Sequence, residues 1–124
     1  MPSAQKKPAI LICDDEEGIR ESFNVILSDD YQLKFATNGL EAMETLKTFS
    51  PDLMMLDIKM PKMNGMEILK QVKKLKPSLP VIIVTGYKSV EMAEEALRNG
   101  AADYLPKPFD SQKILKVVAE TIRK

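Results

Sequence analysis

The sequence predicts an α/β fold in which a five-stranded parallel sheet is covered by five helices on both faces. Short apolar runs alternate along the 124 residues with segments that have the 3.6-residue period of amphipathic helices. Each run and the helical segment after it together occupy roughly 20 to 28 residues, which is typical of a parallel strand and its crossover helix.

The five apolar runs are the predicted strands, and their composition separates inner strands from an edge strand. The first, third and fourth runs are apolar throughout, as strands covered on both faces should be, whereas the second alternates as an edge strand does. The best arrangement is therefore the flavodoxin-like strand order 2-1-3-4-5. The runs are AILIC (9–13), QLKFA (32–36), DLMML (52–56), VIIVT (81–85) and ADYLP (102–106).

The helical segments between these runs each carry an apolar stripe that predicts a buried face. The fourth stripe is the weakest because two of its members are alanines. Asn-Gly pairs at 38–39, 64–65 and 99–100, and Asp110 as an N-cap candidate, mark helix ends. The stripes are Ile19, Phe23, Ile26 and Leu27; Ala42, Met43, Leu46 and Phe49; Ile68, Leu69, Val72 and Leu75; Val90, Ala93, Ala96 and Leu97; and Ile114, Val117, Val118 and Ile122.

The bulk composition limits the possible functions. Eighteen basic and 18 acidic residues give a formal net charge of zero, which argues against direct binding to nucleic acid or an anionic membrane. The chain has no histidine, and its single cysteine, Cys13, cannot form an internal disulfide, which suits a reducing cytoplasm. We expect one domain over residues 1–124, with a flexible N-terminus at 1–7 and neither a signal peptide nor a membrane span.

Acidic residues follow the first and third predicted strands. In a sheet of this order, ligands bind at the carboxyl ends of the strands beside the switch point, so Asp14, Asp15 and Asp57 should converge there. Two carboxylates about 4–5 Å apart repel by about 4 kcal/mol at an effective dielectric constant near 20. The group therefore needs a proton or a cation, and ligands that are all oxygen suit Mg²⁺ or a similar hard ion.

The same edge of the sheet carries the groups that phosphoryl transfer requires. Asp57 is a potential nucleophile of the aspartyl-phosphate kind, Thr85 ends the fourth strand with a hydroxyl, and Lys107 offers a charge for a phosphoryl oxygen. Each residue alone has a simpler explanation: an aspartate could cap a helix or begin a turn, and a lysine could be an exposed surface residue. Their joint placement at the ends of the strands favours phosphoryl transfer, which needs mainly positioning and charge neutralisation.

At these positions the chain resembles the receiver domains of two-component response regulators, the CheY-like family, from about residue 9 to residue 122. The motifs that carry the resemblance are ICDDE (12–16), LMMLDIKMPKMNGMEIL (53–69), VIIVTGY (81–87) and GAADYLPKPFD (100–110). Within the family, TGY and DYLPKPFD are most similar to the receivers of NtrC-type regulators.

The resemblance implies a metal-dependent reaction. It implies that Asp57 accepts a phosphoryl group from a phosphohistidine donor, and that Lys107 contacts this group. It implies that Mg²⁺, with Mn²⁺ as an alternative, is held by Asp14, Asp15, Asp57 and the backbone carbonyl of Lys59. Such a domain catalyses its own phosphorylation and dephosphorylation and is not a conventional turnover enzyme.

The resemblance also implies a switch and its partners. Thr85 and Tyr104 would be the switch pair, and a cis peptide would precede Pro108. Because the alanine-rich stripe of the fourth helix buries little apolar area, we expect the face made of helix 4, strand 5 and helix 5 to change on phosphorylation. The implied partners are a sensor histidine kinase or phosphotransfer protein, an output domain or downstream protein, and a second copy of the chain through that face. Lys59 and Tyr87 each lie two residues beyond a site residue, and we expect them to hinder water at the phosphoryl group.

Three other classes of protein are alternatives. A flavin carrier shares the fold, but four acids after the first strand would repel its phosphate. A dehalogenase-like phosphatase places its nucleophile after strand 1 with another Asp two residues on, whereas position 16 here is Glu. A degenerate receiver would act only as an interaction module, and the complete set of site residues argues against it.

Overall fold

The main sheet has the predicted topology. The computed structural model describes residues 7–60, 63–86 and 89–123. Its five parallel strands lie in the order β2-β1-β3-β4-β5, which confirms the predicted order 2-1-3-4-5. The strands are β1 (Ala9–Cys13), β2 (Gln32–Ala36), β3 (Leu53–Leu56), β4 (Val81–Thr85) and β5 (Asp103–Pro106).

A short antiparallel pair after β3 was not predicted. Lys59–Met60 pairs with Met63–Asn64 immediately before the third helix. Two-residue strands are too short to show the alternation from which strands are recognised in a sequence.

The described residues form five helices, four of which connect successive strands while the fifth follows β5, and side-chain caps begin three of them at positions where the sequence marked helix ends. The side chains of Asn38, Asn64 and Asp110 each accept a hydrogen bond from a backbone N–H of the first turn. The Asn-Gly pair at 99–100 ends the fourth helix, where Gly100 has φ 102°, a left-handed conformation that favours glycine. The helices are α1 (Glu17–Leu27), α2 (Gly39–Leu46), α3 (Gly65–Leu75), α4 (Val90–Arg98) and α5 (Ser111–Arg123).

The hydrophobic core lies on both faces of the sheet. Because successive side chains of a strand point to opposite faces, an entirely apolar strand contributes to two layers. Ile10 and Ile12 of β1 belong to the layer beneath α1 and α5, which includes the buried Phe23. Leu11 and Cys13 belong to the layer beneath α2, α3 and α4, which includes the buried Leu69.

The packing of α4 is light, as its alanine-rich stripe predicts, although two apolar members of that stripe are exposed. Of its nine residues only Ala96 is buried, and Val90 and Leu97 of the predicted stripe are 76% and 50% exposed. The end of the α3 stripe also differs, because Leu75 is the last residue of the helix and is about half exposed. Alanine removes little apolar area from water, so α4 is held to the sheet by less burial than its neighbours.

None of the helices in the described ranges has both the length and the apolar character that crossing a membrane would require.

Gly65 begins α3 against the backbone of Ile58, so we expect Gly65→Ala to destabilise the fold. A Cβ on Gly65 would lie 2.6 Å from the carbonyl oxygen of Ile58 and closer still to its α-carbon. Backbone atoms cannot rotate away as a flexible side chain can, and overpacking of this kind costs about 1–3 kcal/mol. Thermal or urea unfolding measures the loss.

Gly18→Ala in α1 is the matched control, because an added Cβ there meets nothing within 4 Å. Alanine favours a helix over glycine, so this variant should be as stable as the unchanged protein or more stable by up to about 1 kcal/mol. Equal stabilities of the two variants would contradict the packing explanation.

Candidate functional site

The carboxyl ends of β1 and β3 bring the predicted acids together. Asp14 follows β1, and its backbone N–H donates to a carbonyl at the end of β2; Asp57 follows β3, and its N–H donates to the end of β1, both at 3.0 Å. One oxygen from each of Asp14, Asp15, Glu16 and Asp57 lies within 4.8 Å of the others. We call these four residues the acidic cluster. Asp14 and Asp57 are 2% and 3% exposed, whereas Asp15 and Glu16 face solvent.

Lys107 lies inside the acidic cluster and contacts three of its members. Its Nζ is 2.8 Å from Asp14 Oδ2, 3.0 Å from Glu16 Oε1 and 3.1 Å from Asp57 Oδ2. Its backbone N–H donates to the carbonyl of Thr85 at 2.8 Å, which holds the loop after β5 against the end of β4. The lysine predicted from its position after the fifth strand is therefore a direct partner of the acids.

The charge state of Lys107 follows from this environment. Burial alone would lower the pKa of the ammonium group, but hydrogen bonds to Asp14 and Glu16 and the charges of Asp14 and Asp57 outweigh burial and raise the pKa. Lys107 therefore stays protonated and acts as the internal counter-cation of the cluster.

Asp14 is oriented by two further contacts. Its Oδ1 accepts a hydrogen bond from the backbone N–H of Glu16 at 2.9 Å. Arg20 of α1 reaches back, and its Nη1 donates to the backbone carbonyl of Asp14 at 2.8 Å. Burial raises the pKa of the Asp14 carboxyl, while the hydrogen bonds from Lys107 and Glu16 oppose this effect. The positive charge of Lys107 therefore favours the ionised form of a carboxyl group that burial disfavours.

Cys13 lies next to the acids but takes no part in their charge balance. Burial, together with the charges of Asp14 and Asp57, raises the pKa of its thiol to about 12. The thiol is protonated near neutral pH and packs as an apolar side chain in the core layer beneath α2, α3 and α4.

The predicted switch residues lie on adjacent strands of the sheet. Thr85 is fully buried at the end of β4. Tyr104 lies in β5 opposite Ile83, is partly buried, and packs against the core layer that includes Ala96 of α4. The peptide bond between Lys107 and Pro108 is cis, which confirms that expectation.

The expected shielding residues fall mostly outside the described part of the chain. The backbone of Lys59 pairs with Asn64 in the short antiparallel pair, but its side chain is not among the described groups. Tyr87 lies wholly outside the described residues. Shielding of the phosphoryl group by these two residues stays a prediction.

Two contacts of the site were missed from the sequence. The run of four acids is a signal that includes Glu16, but a metal-binding role is predicted only for the first two residues of the run, Asp14 and Asp15. Arg20 had no signal, because its contact with Asp14 depends on the direction in which α1 leaves the loop. Both residues act on the loop that carries the predicted metal ligands.

The acidic cluster fits a hard divalent cation. Its donors are carboxylate oxygens within 4.8 Å of one another, the type of ligand that such ions prefer. Lys107 places one positive charge among these oxygens and so balances only part of the charge of the four acids.

The family model of the response regulator receiver domain matches residues 10–119, and the chain belongs to this family. Such domains serve phosphorylation-based two-component signalling. A response regulator receiver domain protein (CheY-like) from Methanospirillum hungatei JF-1 has a similar structure, with a TM-score of 0.90 and 33% sequence identity over 96% of this chain and 95% of that chain.

Curated relatives include proteins of similar length and much longer ones. Sporulation initiation phosphotransferase F of Bacillus subtilis (strain 168) is 41% identical over 110 residues, 88% of this chain and 89% of that protein. Transcriptional regulatory protein ZraR of Klebsiella oxytoca is 40% identical over 114 residues, 91% of this chain but 26% of that protein. The chain likewise spans half the length of response regulator MprA of Mycobacterium ulcerans (strain Agy99).

Proposed function

We propose that this receiver accepts a phosphoryl group on a carboxylate oxygen of Asp57. The observation that supports the proposal best is a buried carboxylate beside a lysine ammonium, 3.1 Å away, within a cluster of further acids. The chain has no histidine, so the phosphohistidine donor is a separate protein or domain, such as a sensor histidine kinase or a phosphotransfer protein. A small phosphodonor could replace it in the test tube.

The proposed reaction is an in-line displacement at phosphorus. A bond forms between an Asp57 oxygen and phosphorus, the bond between phosphorus and the donor imidazole nitrogen breaks, and its electron pair stays on that nitrogen. Lys107 places its charge on a phosphoryl oxygen, and the Thr85 hydroxyl donates to another. Burial of Asp57 keeps bulk water from competing for these contacts.

We assign the metal ligands to Asp14, Asp15, Asp57 and the backbone carbonyl of Lys59, with Mg²⁺ as the ion and Mn²⁺ as an alternative. When bound, the ion neutralises charge on the carboxylate and phosphoryl oxygens. Asp14 is held in place for this role by its contacts with Glu16 and Arg20. Asp15 contributes from the solvent side, where an ion can enter.

The proposed output is a change of the face formed by α4, β5 and α5, which we call the signalling face. A phosphoryl group on Asp57 would attract the Thr85 hydroxyl, and Tyr104 would turn into the space that Thr85 leaves. Light packing supports α4 as the moving element, since Ala96 is its one buried residue. A downstream protein, an output domain or a second copy of the chain would bind this face in one state more tightly than in the other.

A receiver that acts without phosphorylation is not favoured. The acids, Thr85 and Lys107 all lie at one edge of the sheet, and a pure interaction module would not need to bury two like charges there.

We propose that the chain functions as one receiver domain over residues 1–124.

Asp57→Asn tests the acceptor, because it preserves the size of the side chain but removes the nucleophilic carboxylate. We expect stable labelling from a phosphohistidine donor or acetyl phosphate to be lost, as measured by intact mass. Asp29→Asn, at an exposed turn residue, should label as the unchanged protein does. Peptide mapping that finds the phosphoryl group at another residue of the unchanged protein would refute the assignment.

Added Mg²⁺ should raise thermal stability, because an ion bound only by the folded state stabilises it by mass action, by about 2.7 kcal/mol at a hundred times the Kd. Asp15→Asn should reduce this effect, and the exposed Asp29→Asn should not. KCl at equal ionic strength separates binding from screening. Phosphorylation that proceeds equally well in excess chelator would rule out the metal.

Hydrogen exchange tests the switch. With a phosphoryl mimic such as beryllofluoride bound, amide exchange in α4 and around Tyr104 should change several-fold, while the buried centre of β3 should not. Asp57→Asn treated identically should show no change. Unaltered exchange in α4 and near Tyr104 at full occupancy of Asp57 would mean that only the local charge changes.

A further inference from the structure

Glu16 makes a contact that its position in the chain does not require. It is the N-cap residue of α1, yet its side chain forms no hydrogen bond to the first turn of that helix. Its Oε1 instead lies 3.0 Å from the Nζ of Lys107, 91 positions away in the sequence. The carboxylate is therefore turned toward the site rather than toward the helix it precedes.

We propose that Glu16 is a positioning residue that holds Lys107 in the unphosphorylated state and releases it when Asp57 is phosphorylated. The inference rests on the proposed function, since it concerns the lysine that receives the phosphoryl oxygen. Glu16 itself touches neither the reacting carboxylate of Asp57 nor, in this proposal, the phosphoryl group. It acts through Lys107.

The donor count of the lysine supports this proposal. An ammonium group has three N–H donors, and three carboxylates, from Asp14, Glu16 and Asp57, already surround that of Lys107. A phosphoryl oxygen can gain a full hydrogen bond only if one of these contacts is given up. Phosphorylation of Asp57 therefore requires an exchange of partners at Lys107.

Burial decides which partner is given up. Asp14 is 2% exposed, so losing the lysine would leave a buried charge without water, whereas the Glu16 side chain is 60% exposed and water can replace the ammonium. Lys107 stays next to Asp57, because the phosphoryl group is attached to that carboxyl group. Losing the lysine therefore costs Glu16 less than it costs Asp14. Before Asp57 is phosphorylated, the contact with Glu16 stabilises the unphosphorylated state.

The test is the rate of phosphorylation by acetyl phosphate at saturating Mg²⁺. Glu16→Gln removes the ion pair, so Lys107 can contact the phosphoryl group without breaking it. The rate of phosphorylation should therefore rise about two- to fivefold, the factor that corresponds to the stabilisation by one exposed ion pair. High salt screens that pair in the unchanged protein and should narrow the difference. Melting temperatures confirm that the variants are folded.

Two further variants separate contact from charge. Glu17→Gln removes the same charge from the neighbouring exposed residue, which begins α1, and should leave the rate near that of the unchanged protein. Glu16→Asp keeps the charge but shortens the side chain by one carbon–carbon bond, about 1.5 Å, and should behave like Glu16→Gln. Equal rates for Glu16→Gln and Glu17→Gln, or a Glu16→Asp rate equal to that of the unchanged protein, would overturn the proposal.

A second measurement does not depend on phosphorylation. The nuclear magnetic resonance signal of the Lys107 ammonium group reports how fast its protons exchange with water, and this exchange should accelerate several-fold in Glu16→Gln and Glu16→Asp but not in Glu17→Gln. If the unchanged protein were not labelled at Asp57, the proposed function would fail while this signal still decided whether Glu16 holds the lysine. Identical exchange in all variants would show that it does not.

Discussion

Two buried carboxylates at one edge of the sheet are the constraint on which the rest of this structure depends. Asp14 and Asp57 carry like charges in a place where water is nearly excluded, and such charges are stable only beside a positive group. The ammonium of Lys107 supplies that charge from the end of β5. The site therefore exists only when β1, β3 and β5 end at the same edge, which couples the chemistry to the strand order.

The strands that end at the site are buried on both faces, whereas α4 of the signalling face is packed lightly. β1, β3 and β4 are buried on both faces, so the residues that follow them have little room to move. α4 is different, because Ala96 is its one buried residue and Met92 packs against the core only partly buried, while Val90 and Leu97 remain in contact with water. In the proposed function, a charge change at the rigid edge would act on a helix that is held more lightly than the core.

Much of this arrangement could be predicted because it depends on periodicity and on local chemistry. Uniformly apolar runs indicated strands covered on both faces, and the alternating second run indicated the edge strand, as β2 is. Asn38, Asn64 and Asp110 cap helices through contacts within one turn, which depend only on neighbouring residues. The alanines of α4 predicted its light packing, but not the exposure of Val90 and Leu97, since a helical period shows which side chains share a face and not how closely that face approaches the sheet.

The sequence by itself determined the fold class, the strand order and the acids that gather at one edge, because each follows from residue pattern and from the shared direction of parallel strands. Only the tertiary structure decided how those acids are balanced. The contacts of Lys107 with Glu16 and of Arg20 with the Asp14 carbonyl depend on where loops and helix ends lie in space. A difference of one or two ångströms makes or removes such contacts, and no periodicity in the chain encodes a distance of that size.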